Sequence, residues 1–271
     1  MLLFRAVDMA KGLKLYFKFI KMHILSGLEY KGWWMMCLQT SFGVITDPIS
    51  VVLMFSRFGG VGKWTMEQIL LVYVLAVTSY GLAESFCRGF DYFPWKMIRS
   101  GDFDRLLLRP RSLFLQVVGS YFHLHRLPRP ITGLIAIIWL LIRMNVSFNF
   151  INIFILIFAL LGGLLTYTGV YIFTSGIAFF TVKGLDWIYI FTNVSYAAAR
   201  CPVDYMPKIL WGAFTFLMPM LVVSYYPASV ICGWGEPLFT GFLAMPAGFL
   251  FLGFSLMIWR VGVRHYKSTG S

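Results

Sequence analysis

Along this chain, apolar runs of hydrocarbon length alternate with short polar connections, with one long polar exception. About 20 apolar residues cross the ~30 Å core of a bilayer as a helix, so the pattern predicts spans at 33–55, 68–87, 130–143 and 151–181. Trp33 and Trp34 open the first as an interfacial belt. The fourth is long enough to tilt and carries Gly162, Gly163, Gly169 and Gly176, which permit close helix packing. Three further apolar runs follow at about 185–199, 207–232 and 238–259. With both termini on one side of the membrane, these cannot all cross. The middle run, broken by Pro219 and Pro227, is the better candidate for a segment that enters and leaves on the same face. Such backbone survives at membrane depth only against other protein.

Two polar features stand out. Within 10–31, lysines at 11, 14, 18 and 21 recur at helical spacing opposite an aromatic and aliphatic face. That pattern predicts an amphipathic helix lying in the membrane interface; a frayed start to the first span is the plainer alternative. The second feature is the connection 88–129, whose centre, Arg99 to Arg111, holds six of the chain's 34 charged residues. A segment that must leave the membrane and grip a soluble partner explains this density.

Composition sets the class. The chain is 59% hydrophobic and 13% charged over 271 residues, with a mean hydropathy of +0.76. Soluble domains carry about a quarter charged residues, so this is an all-α polytopic membrane protein with no soluble domain of ordinary size to spare. The net charge of +12 does not point to nucleic acid, because the cations gather at the edges of apolar runs. With the topology above, 18 of the 23 Lys and Arg fall on the side of the termini and of 88–129, against five on the other. That bias predicts both termini in the cytoplasm. The N-terminal residues lack the apolar core and cleavage site of a removable signal.

Candidate chemistry is sparse. Asp47, before Pro48 inside the first span, costs at least ~2.5 kcal/mol at a helix centre unless paired or hydrated. A pathway contact and a structural pairing both account for it. Glu84 has Arg88 four residues on, an i, i+4 pair that explains it simply. Cys201 and Cys232 flank the middle C-terminal run; they form either a disulfide on the outer side or two free thiols. Gly59 to Thr65 imitates a phosphate loop, but Arg57 stands where its first glycine belongs. His123 and His125 lack a third ligand to complete a metal set, and no nucleophile and base share a motif.

The string Gly101-Asp102-Phe103-Asp104-Arg105-Leu106-Leu107-Leu108-Arg109-Pro110, with Gln116, Gly119-Ser120, Tyr225-Tyr226-Pro227-Ala228 and the ending Tyr266 to Ser271, resembles bacterial ABC-transporter permeases of the type-2 export class. The likeness is to the small six-span branch, usually paired with a second permease and a separate ATPase. It implies an interfacial helix at 10–31, a fifth span at 187–199, a sixth at 238–259 and short outer re-entrant helices at 202–233. It also implies a cytoplasmic coupling helix within 88–129. There Leu106, Leu107 and Leu108 would anchor an ATPase subunit while Asp102, Asp104, Arg105, Arg109 and Arg111 fix register. Asp102 or Ser100 would cap that helix and Pro110 would stop it. The implied assembly has two ATPase subunits and two permeases in a bacterial inner membrane, in contact with lipid and with no nucleic acid. It would export an amphipathic substrate, with ATP and Mg on the ATPase and no cofactor on this chain. A membrane-embedded enzyme would need a cluster of catalytic His, Asp or Cys. An assembly protein would not need so charged a loop.

Overall fold

The computed structural model describes residues 2–29, 31–46, 48–49, 52–53, 57, 64–181, 186–200 and 206–266. Among them every regular element is helical.

Helix α1, Leu2–Glu29, exposes Lys14, Lys18 and Lys21 together with Phe17, Met22 and Leu25. A surface half cationic and half apolar suits the boundary between headgroups and acyl chains. Its inner side is tied to the bundle. The Tyr16 hydroxyl donates to the Phe86 carbonyl at 2.8 Å, and His23 Nε2 lies 3.1 Å from the Gly119 carbonyl. Helix α2, Trp33–Thr46, represents the expected first span within the described residues.

Helix α3, Met66–Phe86, starts on a capping box: the Thr65 backbone N–H donates to Gln68 Oε1 while the Gln68 N–H donates to Thr65 Oγ1. It is apolar on nearly every face, and a helix of that kind belongs inside. Accordingly its most apolar stretch is 83% buried, against 28–33% for the other three long helices. Pro128–Arg143, Phe150–Ala178 and Met220–Ile231 wall α3 in, while Ala244–His265 packs on Phe150–Ala178 behind it.

Helix α4, Gly89–Phe93, runs into a π turn at Pro94–Ile98; α5 is Phe103–Leu107 and α6 is Leu113–Gly119. Helix α7, Pro128–Arg143, then runs antiparallel to α3 and is pinned to it at both ends. Arg129 Nη1 meets Glu84 Oε2 at 2.5 Å at one end, and Arg143 Nε lies 3.5 Å from Glu67 Oε1 at the other. Helix α8, Phe150–Ala178, makes its most extensive packing with α12, Ala244–His265. Glycines permit it: a Cβ on Gly162 would overlap the Ala244 backbone, and one on Gly248 would press on the Gly162 carbonyl.

Between them lie the elements that the hydropathy pattern left ambiguous. Helix α9, Asp186–Ala198, has 13 residues and spans about 20 Å at 1.5 Å per residue, short of a hydrocarbon core. Helix α10, Lys208–Gly212, continues as a π turn through Leu217 and meets α11, Met220–Ile231, at 99°. The bend falls at Met218 and Pro219. Pro227, expected to break the same run, sits inside α11 without ending it. Among the described residues four helices are long and apolar enough to cross a membrane, or five if the bent pair forms one span. The described residues establish four or five of the six expected spans, and the expected first span at 33–55 runs partly outside them.

Candidate functional site

The charged region 88–129 folds as a compact layer on one end of the bundle. Gly101, at φ +77°, turns the chain between the π turn and α5, a conformation that costs glycine little. Helix α5 ends at Leu107, with Leu108 as its C-cap and Pro110 two residues further. The expected side-chain cap is not made: Asp102 occupies the N-cap position without a capping bond. Its carboxylate instead accepts from Arg105 Nη1 at 3.3 Å and from the Ser100 hydroxyl at 3.0 Å. Arg105 is 81% exposed, and pairs of this kind contribute little stability. The Asp102–Arg105 pair orients the surface of α5 more than it holds the fold.

The three leucines divide. Leu106 is buried in the protein's own core beside Phe103, whereas Leu107 is half-exposed and Leu108 is 85% exposed. Only the last two present apolar surface outward, a correction to the expected trio. Phe103, fully buried, is the residue that the sequence reading passed over. Its ring meets Phe93 at 5.4 Å, Phe179 at 5.2 Å and Tyr266 at 4.7 Å, the last pair edge to face. Phe93 in turn packs on Trp259 at 4.7 Å. Phe179 follows α8, while Trp259 and Tyr266 belong to the end of α12. A single aromatic ring thus connects α5 to the ends of two long helices. Burial and the adjacent Asp104 carboxylate both raise the Tyr266 phenol above its ordinary pKa, which places Asp104 on this joint.

A second joint is electrostatic. Glu84, 2% exposed near the end of α3, receives Arg88 as expected, and also Arg126 Nη1 at 2.9 Å and Arg129 Nη1 at 2.5 Å. The last two arrive from 42 and 45 residues away. A lone acid in an apolar span needs cations at its own depth. Arg126 and Arg129, at the start of the next span, were the available signal. Asp91 lies 3.8 Å from Arg88; burial raises its pKa while Arg88 and Arg126 oppose the rise. The Arg88 guanidinium sits over the Tyr92 ring and that of Arg129 over Tyr80, which offsets part of their desolvation. Beside this cluster, burial brings His123 down to about 4, with help from His125, Arg88, Arg126 and His23.

The remaining candidates do not join this site. Arg109 and Arg111 are the exception: exposed beyond α5, they line a groove beside it with Asp102 and Arg105. Asp47 and Cys201 lie outside the described residues, as does most of the Gly59–Thr65 segment. Cys232 follows α11 and carries a free thiol. Among the described residues no group of three or more His, Cys, Asp or Glu is placed to hold a metal.

What the arrangement provides is mechanical: an exposed two-leucine tip and a charged rim, joined to α8 and α12 through Phe103 and to α3 and α7 through Glu84. A family model described as ABC-2 family transporter protein matches residues 43–270. No curated protein and no solved structure matches the chain.

Proposed function

Because this chain belongs to the ABC-2 family transporter proteins and is therefore a membrane component of a transporter, we propose that it is the permease subunit of an ATP-driven exporter. It forms half of the translocation pathway, and a separate ATPase subunit docks on α5. ATP and Mg are held and hydrolysed on that partner, and this chain has no hydrolytic role. Two ATPase subunits and a second, non-identical permease complete the assembly in a bacterial inner membrane, with both termini in the cytoplasm. The bent pair α10 and α11 is then the re-entrant outer element, and α9 lies in the fifth-span position. The apolar interior favours an amphipathic substrate.

The observation that carries this reading is the placement of Phe103. A push delivered to Leu107 and Leu108 reaches Phe179 and Tyr266 through the one buried ring of Phe103, and Trp259 through Phe93 behind it. Protein interiors are close-packed and pass such displacements on instead of absorbing them. The Glu84 cluster ties both ends of the 88–129 region to the bundle, so the layer moves with the spans. The experiment is co-purification with the ATPase subunit, followed by transport in vesicles. Intact α5 should be required for ATPase association and ATP-dependent export. Export that persists with Leu107 and Leu108 both changed to Asp would overturn the proposal.

A further inference from the structure

Beside α5 lies a groove of about 560 Å³. Its walls carry Lys96, Arg105, Arg109 and Arg111 against one carboxylate, Asp102. Asp102 already pairs with Arg105. Lys96, Arg109 and Arg111 have no ion-pair partner among the described residues. Leu15 and Phe19 of α1 close the far side with apolar surface.

Gln116 forms part of the lining and is 6% exposed. Its Nε2 donates to the Leu106 carbonyl at 3.4 Å and the Arg111 carbonyl at 3.1 Å. Both partners are acceptors, which fixes the orientation of the amide. Gln116 Oε1 is then left buried with no donor, a costly state in a folded protein. The groove therefore lacks two things: negative charge for its walls and a hydrogen-bond donor for this oxygen.

We propose that this groove receives an acidic segment of the ATPase subunit, its carboxylates meeting Lys96, Arg109 and Arg111 while a peptide N–H or side-chain hydroxyl reaches Gln116 Oε1. The proposal rests on the docking reading above and adds the chemistry of the partner. A lipid phosphodiester would satisfy the cations, but its own oxygens only accept hydrogen bonds, so a lipid would serve Gln116 only through a headgroup hydroxyl or ammonium, whereas a peptide segment supplies an N–H along its whole length. Leu106 and Arg109, which flank Leu107 and Leu108 in the chain, line the groove, so the apolar tip and the acidic segment would belong to one continuous interface, with charge setting register and encounter.

The test uses the full-length chain in its native membrane with a benzophenone amino acid at Leu108 or at Lys96. The Leu108 probe should capture the ATPase. The Lys96 probe should capture an Asp- or Glu-bearing peptide of that same subunit. Changing Lys96→Glu, Arg109→Glu and Arg111→Glu together should cut co-purified ATPase about ten-fold, and Lys at the captured carboxylates should restore it. The neutral triple variant with Gln at the three positions should lose part of the association and most of its salt sensitivity; it decides the matter if the reversed protein does not fold. Capture at Leu108 with only anionic-lipid adducts at Lys96, or with unchanged association in the neutral variant, overturns the groove proposal alone. No ATPase at either probe overturns it together with the docking reading.

Discussion

Arg129 Nη1 and Glu84 Oε2 meet at 2.5 Å across 45 residues of chain, so the far end of the 88–129 region is fastened where the near end begins. Arg88 and Arg126 share the same carboxylate. One buried acid thus fixes where α3 ends, where α7 starts and how the layer between them sits on the bundle.

Removing that acid should be more damaging than removing any one of its cations. Glu84→Ala takes the carboxylate from Arg126 and Arg129 and leaves Arg88 with Asp91 alone, and breaking a buried pair in this way costs about 3–5 kcal/mol. Arg126→Ala alone leaves Glu84 with two partners and should cost less. Thermal unfolding in detergent, with protease cleavage inside 88–129 as a second readout, should rank the two in that order. A Glu84→Ala protein as stable and as protease-resistant as the parent would contradict the fastening role.

Phe103→Ala removes a fully buried ring, a change that costs about 3–5 kcal/mol in protein cores. Its contacts to Phe93, Phe179 and Tyr266 go with it. ATPase association should survive, since Leu107 and Leu108 remain. ATP hydrolysis should therefore continue while export falls. Loss of both activities in parallel would indicate that Phe103 serves stability and does not transmit movement.

The leucines should separate by position. Changing Leu107→Asp with Leu108→Asp alters exposed side chains and should move stability by no more than about 0.5 kcal/mol, yet release the ATPase. Leu106→Asp places a carboxylate in the core and should destabilise strongly. Melting curves set beside co-purification yields distinguish the two; equal melting temperatures for both proteins would contradict the burial pattern.

Acid should weaken the region around His123. Its pKa is about 4 in the folded protein and near 6.5 when unfolded. Between these values the unfolded chain binds more protons, so stability falls as pH drops from about 6.5 toward 4. His123→Gln should flatten that part of a plot of melting temperature against pH. An unchanged slope would show that other groups govern the acid response.

Hydropathy alone placed α3, α7, α8 and α12, because the free energy of moving about 20 apolar residues out of water is a sum along the chain. It also located the charged island and the glycines that let α8 and α12 approach. It could not decide α9 or the bent pair of α10 and α11, where the runs are short or broken and what lies behind each helix determines whether it crosses. Leu106, Leu107 and Leu108 are identical as letters. Only the ring of Phe103 and the core behind α5 decided that the first turns inward while the last faces out. Glu84 could be matched to Arg88 by spacing, whereas Arg126 and Arg129 became its partners only when α3 and α7 lay antiparallel at the same depth. The sequence determined which segments leave water and where the charge collects. The tertiary structure decided which buried groups meet, because pairing depends on distances in space between residues that the chain holds far apart.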